Sequence, residues 1–124
     1  MSKVALEVNA KGEVRELDIT DNKASLKVMQ DSVGGLVQPV GITDNLVMWV
    51  NEEFVFMPEL EFNSIATNFF ESVGGTYGIH GTVLFTGGLD EDGYSNGLDN
   101  STRDKLHRIV EAVKTTVIAM GFAK

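Results

Sequence analysis

Apolar and polar residues alternate from Val4 to Val8 and, in part, from Val14 to Ile19. Neighbouring strand residues point to opposite faces, so this pattern predicts two half-buried strands. Asn9-Ala10-Lys11-Gly12 lies between them, a turn composition that joins the pair as a β-hairpin. Thr20-Asp21-Asn22 then offers capping oxygens. Leu26, Met29 and Val33 follow at helical spacing and predict a short helix, closed by Gly34-Gly35. Leu36 to Val40 and Leu46 to Val50 read as strands around a Gly41–Asn45 turn. Pro39 has no N–H to give a ladder, so the first of these is expected at an edge or at a bulge.

Asn51-Glu52-Glu53 leads into the apolar segment Phe54 to Met57, which Pro58 closes. Phe62 to Phe70 predicts a second helix that Gly74-Gly75 ends, and Ile79 to Thr86 predicts a strand. Gly87 to Asn100, rich in Gly, Asp, Asn and Ser, reads as a loop. The last element is the most strongly patterned. Ser101 and Asp104 are spaced as a capping box, and Leu106, Ile109, Val110, Val113, Val117 and Met120 form a helical seam up to Gly121. Asp31-Ser32-Val33-Gly34-Gly35 is echoed by Glu71-Ser72-Val73-Gly74-Gly75, which reads more simply as two helices with one stop chemistry than as a duplication. The elements together predict a single α+β domain over residues 1–124: a mainly antiparallel sheet with short helices and a long C-terminal helix, packed on one face. Ile118 widens the final seam beyond what one sheet needs, which raises the expectation of a homodimer through that helix.

The 124 residues suffice for one self-supporting core. There is no Cys, which rules out disulfides, thiolate metal sites and cysteine nucleophiles. No apolar run approaches the ~20 residues of a bilayer span, and the N-terminus lacks the apolar block of a signal peptide. A cytoplasmic protein without a membrane anchor is expected. The net charge of −8 is unevenly distributed: Val28 to Thr102 contains no Lys or Arg and eleven acids. A surface built from that stretch repels phosphate backbones and attracts basic partners, so direct nucleic-acid binding is not expected. Solubility alone would account for the same charges.

Several local patterns carry potential chemistry. Asn51-Glu52-Glu53 places two carboxylates beside an amide, either as a polar binding site or as a turn in which Asn caps the strand end. Glu59 and Glu61 share a face on an extended chain, but paired carboxylates do acid–base work only when their environments separate their pKa values. Asp90-Glu91-Asp92-Gly93 is a poor calcium loop, since its glycine stands fourth rather than sixth and Ser101 takes the twelfth position. His80 and His107 have no second ligand at metal spacing, and His80 reads as a structural histidine. No nucleophile elbow, phosphate loop or dinucleotide fingerprint occurs. Trp49, Phe54, Phe56, Phe62, Phe69 and Phe70 crowd one stretch. Alternation from Trp49 argues that not all face one core, which would leave some for an interface, while a core-only reading is the simpler one for a short domain with few aromatics elsewhere. The binding candidates are therefore Trp49, Asn51, Glu52, Glu53, Phe54, Asp90 and Asp92. No catalytic residue, metal ligand or cofactor is expected.

An ordered series of motifs carries a resemblance. Leu26-Lys27-Val28-Met29-Gln30 runs into Val33-Gly34-Gly35, followed by Val50-Asn51-Glu52-Glu53, Asn63-Ser64-Ile65-Ala66-Thr67 and Ile79-His80-Gly81-Thr82-Val83. Over residues 26–85 the chain resembles an uncharacterised family frequent in phage and mobile-element genomes, domain of unknown function 3846. Phe54 stands where the resemblance leads one to expect glycine, and the final helix lies beyond the motifs as an addition. The resemblance implies an accessory protein acting in a bacterial host's cytoplasm, with no catalytic residues to transfer. Three functions follow. The first is a protein that binds a host protein with a basic surface, to inhibit or redirect it. The second is a binder that sequesters a signalling nucleotide, for which Arg103, Lys105 or Arg108 would meet the phosphates. The third is a small enzyme, for which no constellation is present.

Overall fold

A computed structural model describes the backbone of residues 3–121 and the side chains up to residue 114. Its strands are β1 (Val4–Val8), β2 (Val14–Asp18), β3 (Val37–Thr43), β4 (Leu46–Asn51) and β5 (Val83–Thr86), and its helices α1 (Asn22–Val33), α2 (Ser64–Ser72) and α3 (Asn100–Gly121). The strands form one five-stranded sheet in the order β2-β1-β5-β4-β3. Every pairing is antiparallel. The last strand of the sequence thus sits in the middle, stitching two local hairpins together.

The sheet alternation divides the core into two layers. Leu6, Val8, Met48, Val50, Val83 and Phe85 point to the side covered by Ile65 and Ala66 of α2 and Leu106 and Val110 of α3. Ala5, Trp49 and Leu84 point the other way, onto Met29 and Val33 of α1. The expected α+β fold, with an antiparallel sheet and the long C-terminal helix on one face, is present. Helix α1 departs from the expectation of a single helical layer: it covers the opposite face. Both sides of β1, β4 and β5 are therefore buried, which no single helical layer would achieve.

Local details refine the sequence reading. Asp21 caps α1 by accepting from the Lys23 N–H at 3.0 Å. The buried stripe of α1 is Ser25, Met29 and Val33, while Leu26 is 54% exposed. A helix lying on a sheet needs only a narrow stripe, and the i, i+4, i+8 row supplies it. The Gly34-Gly35 and Gly74-Gly75 echo is a shared stop: the N–H groups of Gly35 and Gly75 return to the carbonyls of Gln30 and Phe70, at 3.1 and 2.9 Å. Strand β3 is an edge, as Pro39 required. Helix α3 is capped by Asp99, which accepts from the Thr102 N–H at 2.7 Å, rather than by Ser101. In its seam Leu106 and Val110 are buried, whereas Ile109 is exposed. Val117, Ile118 and Met120, on which the expected dimer rests, lie outside the described side chains. No helix among the described residues is long and apolar enough to cross a membrane.

Candidate functional site

Where β4 ends, the Asn51 side chain turns the chain. Its Oδ1 accepts from the Glu53 N–H at 2.8 Å, and its Nδ2 donates to the Val33 carbonyl at 3.2 Å. This is the turn reading of Asn51-Glu52-Glu53: Asn51 is buried and fully occupied in joining β4 to the end of α1. Glu52 and Glu53 are exposed. A short 3-10 turn, Phe54–Phe56, follows.

The opposing wall comes from residues 75–81. Residues 61–63, which follow the first wall, pair briefly with 79–81: Asn63 N–H donates to Ile79 O and Gly81 N–H to Glu61 O, both at 2.8 Å, with Phe62 opposite His80. The expected strand over Ile79–Thr86 is thereby divided. Gly81 adopts a φ of +89°, a left-handed conformation that breaks the ladder, and β5 begins only at Val83. Gly78 permits a close approach: a Cβ there would lie 2.7 Å from Cε1 of Phe62.

Between these walls lies an open cleft of about 440 Å³ lined by Phe54, Val55, Met57, Pro58, Tyr77 and His80, with Gly78 at its rim. Phe54 forms the floor and is buried. Its ring stacks against Tyr77, with centroids 6.1 Å apart, and against His80 at 6.4 Å. Phe62 meets His80 edge-on at 5.6 Å, and Phe70 backs Tyr77 at 4.9 Å. The lining is apolar and wet: Val55 is 63% exposed and Tyr77 55%. His80 Nδ1 lies 3.2 Å from the Leu60 carbonyl. A carbonyl can only accept, so Nδ1 carries the proton and, in the neutral ring, Nε2 is an acceptor. Nε2 has no partner among the described residues, and since no buried side-chain nitrogen there lacks one, it is open to solvent.

The wall segments and the residues next to them in the chain carry acids but no Lys or Arg. Glu52 and Glu53 immediately precede its floor. Glu59 and Glu61 line the neighbouring groove of about 310 Å³, together with Lys11 of the β1–β2 turn. Neither wall segment contains a Lys or Arg. Among the described residues, no three His, Asp or Glu side chains converge as a metal site would require.

The seven candidates from the sequence do not form one site. Phe54 lines the cleft, and Glu52 and Glu53 precede it in the chain as exposed residues. Trp49 instead belongs to the α1 core layer, where its Nε1 donates to Thr86 Oγ1 at 2.9 Å. Asp90 folds its own loop by accepting from the N–H groups of Asp92 and Tyr94, each at 2.9 Å. That loop lies at the far end of β4, where a Cβ on Gly88 would touch the Asp44 carbonyl at 2.5 Å. The sequence reading missed Tyr77 and took His80 as structural. The only signal for them was the Thr76–Gly81 run of aromatic, His and Gly residues, facing the aromatic excess at Phe54 to Phe62.

One family model matches residues 1–111, which takes in both hairpins, the cleft and the first half of α3. That half of the helix is thus part of the family's fold rather than an addition. No curated protein and no solved structure matches the chain. The chain belongs to the family described as a domain of unknown function (DUF3846).

Proposed function

We propose that this chain is a protein-binding module that docks a basic, partly apolar surface of another protein onto the aromatic cleft and its acidic surroundings. In the phage or mobile-element setting that the resemblance implies, the partner is a host protein, which docking inhibits or redirects. The observation that carries this reading is the cleft itself. Tyr77 remains open to water in an apolar cleft whose wall segments carry no Lys or Arg and whose buried Phe54 directly follows Glu52 and Glu53 in the chain. Exposed aromatic surface is costly to leave unpartnered and is enriched at the centres of interfaces. Flanking carboxylates steer a basic partner and repel an acidic one.

Nucleotide sequestration draws no support from this cleft, because its walls offer no Lys or Arg to a phosphate. Arg103, one of the cations considered for that role, is held on α3 by Glu16 at 3.3 Å and by Asn100 at 3.1 Å. An enzyme reading lacks a paired acid and base in the cleft.

The test is kinetic. A partner captured from bacterial lysate is purified and its association with the chain is followed from ~0.1 to ~1 M salt, over which the Debye length shortens from ~10 to ~3 Å. Association should slow by about tenfold or more across that range. A rate indifferent to salt would remove the acidic surroundings from the reading.

A further inference from the structure

We propose that the cleft seats one arginine side chain of the docking partner, with its guanidinium over the Tyr77 ring and an N–H donated to Nε2 of His80. This deepens the docking reading and rests on it. Four features of the cleft match four features of that side chain. Val55, Met57 and Pro58 form an apolar wall, which suits an aliphatic stem. Tyr77, which meets Phe70 at 4.9 Å and Phe54 at 6.1 Å, still leaves over half of its surface exposed at the cleft, and an exposed aromatic ring attracts a planar cation. With Nδ1 held to Leu60 O, Nε2 of the neutral ring is a solvent-open acceptor that can take a donor from the ligand. Glu52 and Glu53, exposed and immediately before Phe54 in the chain, supply acidic charge close to the guanidinium.

The geometry also selects among cations. Phe54 and Tyr77 are only 6.1 Å apart at their centroids, too close to admit a group between them, so the ligand lies across open faces rather than inside a cage. A flat guanidinium covers such a face and still projects N–H groups sideways. A compact, strongly hydrated ammonium does so less well. An uncharged apolar side chain offers Nε2 no donor.

The experiment uses the full chain and a short capped peptide with a central arginine flanked by leucines. Its counterparts carry lysine, leucine or citrulline, the last being the same shape without the charge. Binding is read from the NMR shifts of the Tyr77 ring protons and the His80 Cε1 proton. The arginine peptide should move both sets and saturate, with the lysine peptide weaker and the citrulline and leucine peptides weaker by about tenfold. Tyr77→Leu keeps apolar bulk and removes the π face. His80→Asn keeps a donor for Leu60 O and removes Nε2. Each should weaken the arginine peptide several-fold while leaving the amide spectrum of the sheet intact. If Tyr77→Leu disturbs the fold, His80→Asn and the citrulline comparison still decide the matter.

Equal binding of the citrulline or leucine peptide would overturn the proposal. So would stronger binding of the lysine peptide, or shifts of Tyr77 and His80 with protein concentration alone, which would assign the cleft to a second copy of the chain. Failure here is distinguishable from failure of the docking reading. If the captured partner still associates in a salt-sensitive way while arginine and citrulline peptides bind alike, only the arginine anchor falls.

Discussion

Asn63 has no exposed surface, and its side chain reaches three backbone segments at once. Nδ2 donates to Val8 O at 3.3 Å and to Gly81 O at 2.8 Å, while Oδ1 accepts from Ala66 N–H at 3.0 Å and so caps α2. One carboxamide ties the end of β1, the turn into β5 and the start of α2 together beside the cleft. In Asn63→Ala the cap is lost, at about 1 kcal/mol, and buried backbone groups lose their partners at roughly 1–3 kcal/mol each. The expected loss is on the order of 3–5 kcal/mol, read as a lower urea midpoint with an unchanged slope. Asp99 gives a pH prediction. Hydrogen bonds from the Thr102 backbone N–H, then from its hydroxyl, and the nearby charge of Lys105 hold its carboxyl below the usual range. A depressed folded-state pKa contributes stability that is fully present above the unfolded value of ~3.9 and is lost as pH falls through the lower folded one. The Thr102 amide resonance should therefore titrate below the ordinary carboxylate range, and the first turn of α3 should fray with it. A midpoint at the ordinary value would reject the cap. The sequence signalled the caps unevenly. Asp21 stands in a plain cap-then-helix pattern, whereas Ser101 and Asp104 mimic a capping box two residues past the acceptor that the backbone uses. Nothing local marks Asn63 as buried, because its partners come from 55 and 18 residues away.

Strand β3 shows how much one residue can decide for an element. Glu52 N–H donates to Leu36 O at 2.8 Å, so alternate pairs along the ladder exchange hydrogen bonds. Pro39 faces Trp49 at a position between those pairs, and its nitrogen turns to the open edge. The missing N–H therefore costs the sheet nothing and denies a donor to any strand that would add there. Pro39→Val should leave thermal stability nearly unchanged and increase self-association on storage, measured by light scattering. Unchanged monodispersity would mean that the edge is protected by something else. The hairpins, both early helices and the helix stops were legible, because each rests on a local period or a turn glycine. Element β5 was legible only in part: its four residues are all buried and show no alternation. Leu26 was misassigned on α1 because helical spacing alone does not say which of two adjacent rows meets the sheet.

At the scale of the whole molecule, β5 closes the sheet between two hairpins that are each complete long before it. Its central place, and the division of the helices between two faces, depend on non-local pairing that no local pattern encodes. The cleft has the same origin: the aromatic excess from Phe54 to Phe62 was visible in the sequence, but Tyr77 and His80 join it only through the bridge between Phe62 and His80. The same topology separates charges that the sequence lists together. Glu52 and Glu53 lie at the end of β4 where Asn51 stands, and the Asp90–Asp92 loop lies at the end where Leu46 begins. Six residues of strand put roughly 17 Å between the two ends, about twice the Debye length of ~8 Å at physiological salt. Two variants can then separate local steering from net charge. Glu52→Lys combined with Glu53→Lys should slow association with a captured basic partner by about tenfold at ~0.15 M salt, and the difference from the unmodified chain should vanish towards ~1 M. Glu91→Lys combined with Asp92→Lys makes the same change in net charge in the far loop, leaves the Asp90 carboxylate in place, and should alter the rate far less. Equal slowing by both pairs would show that the partner responds to overall charge, and would detach the acidic stretch from the aromatic cleft.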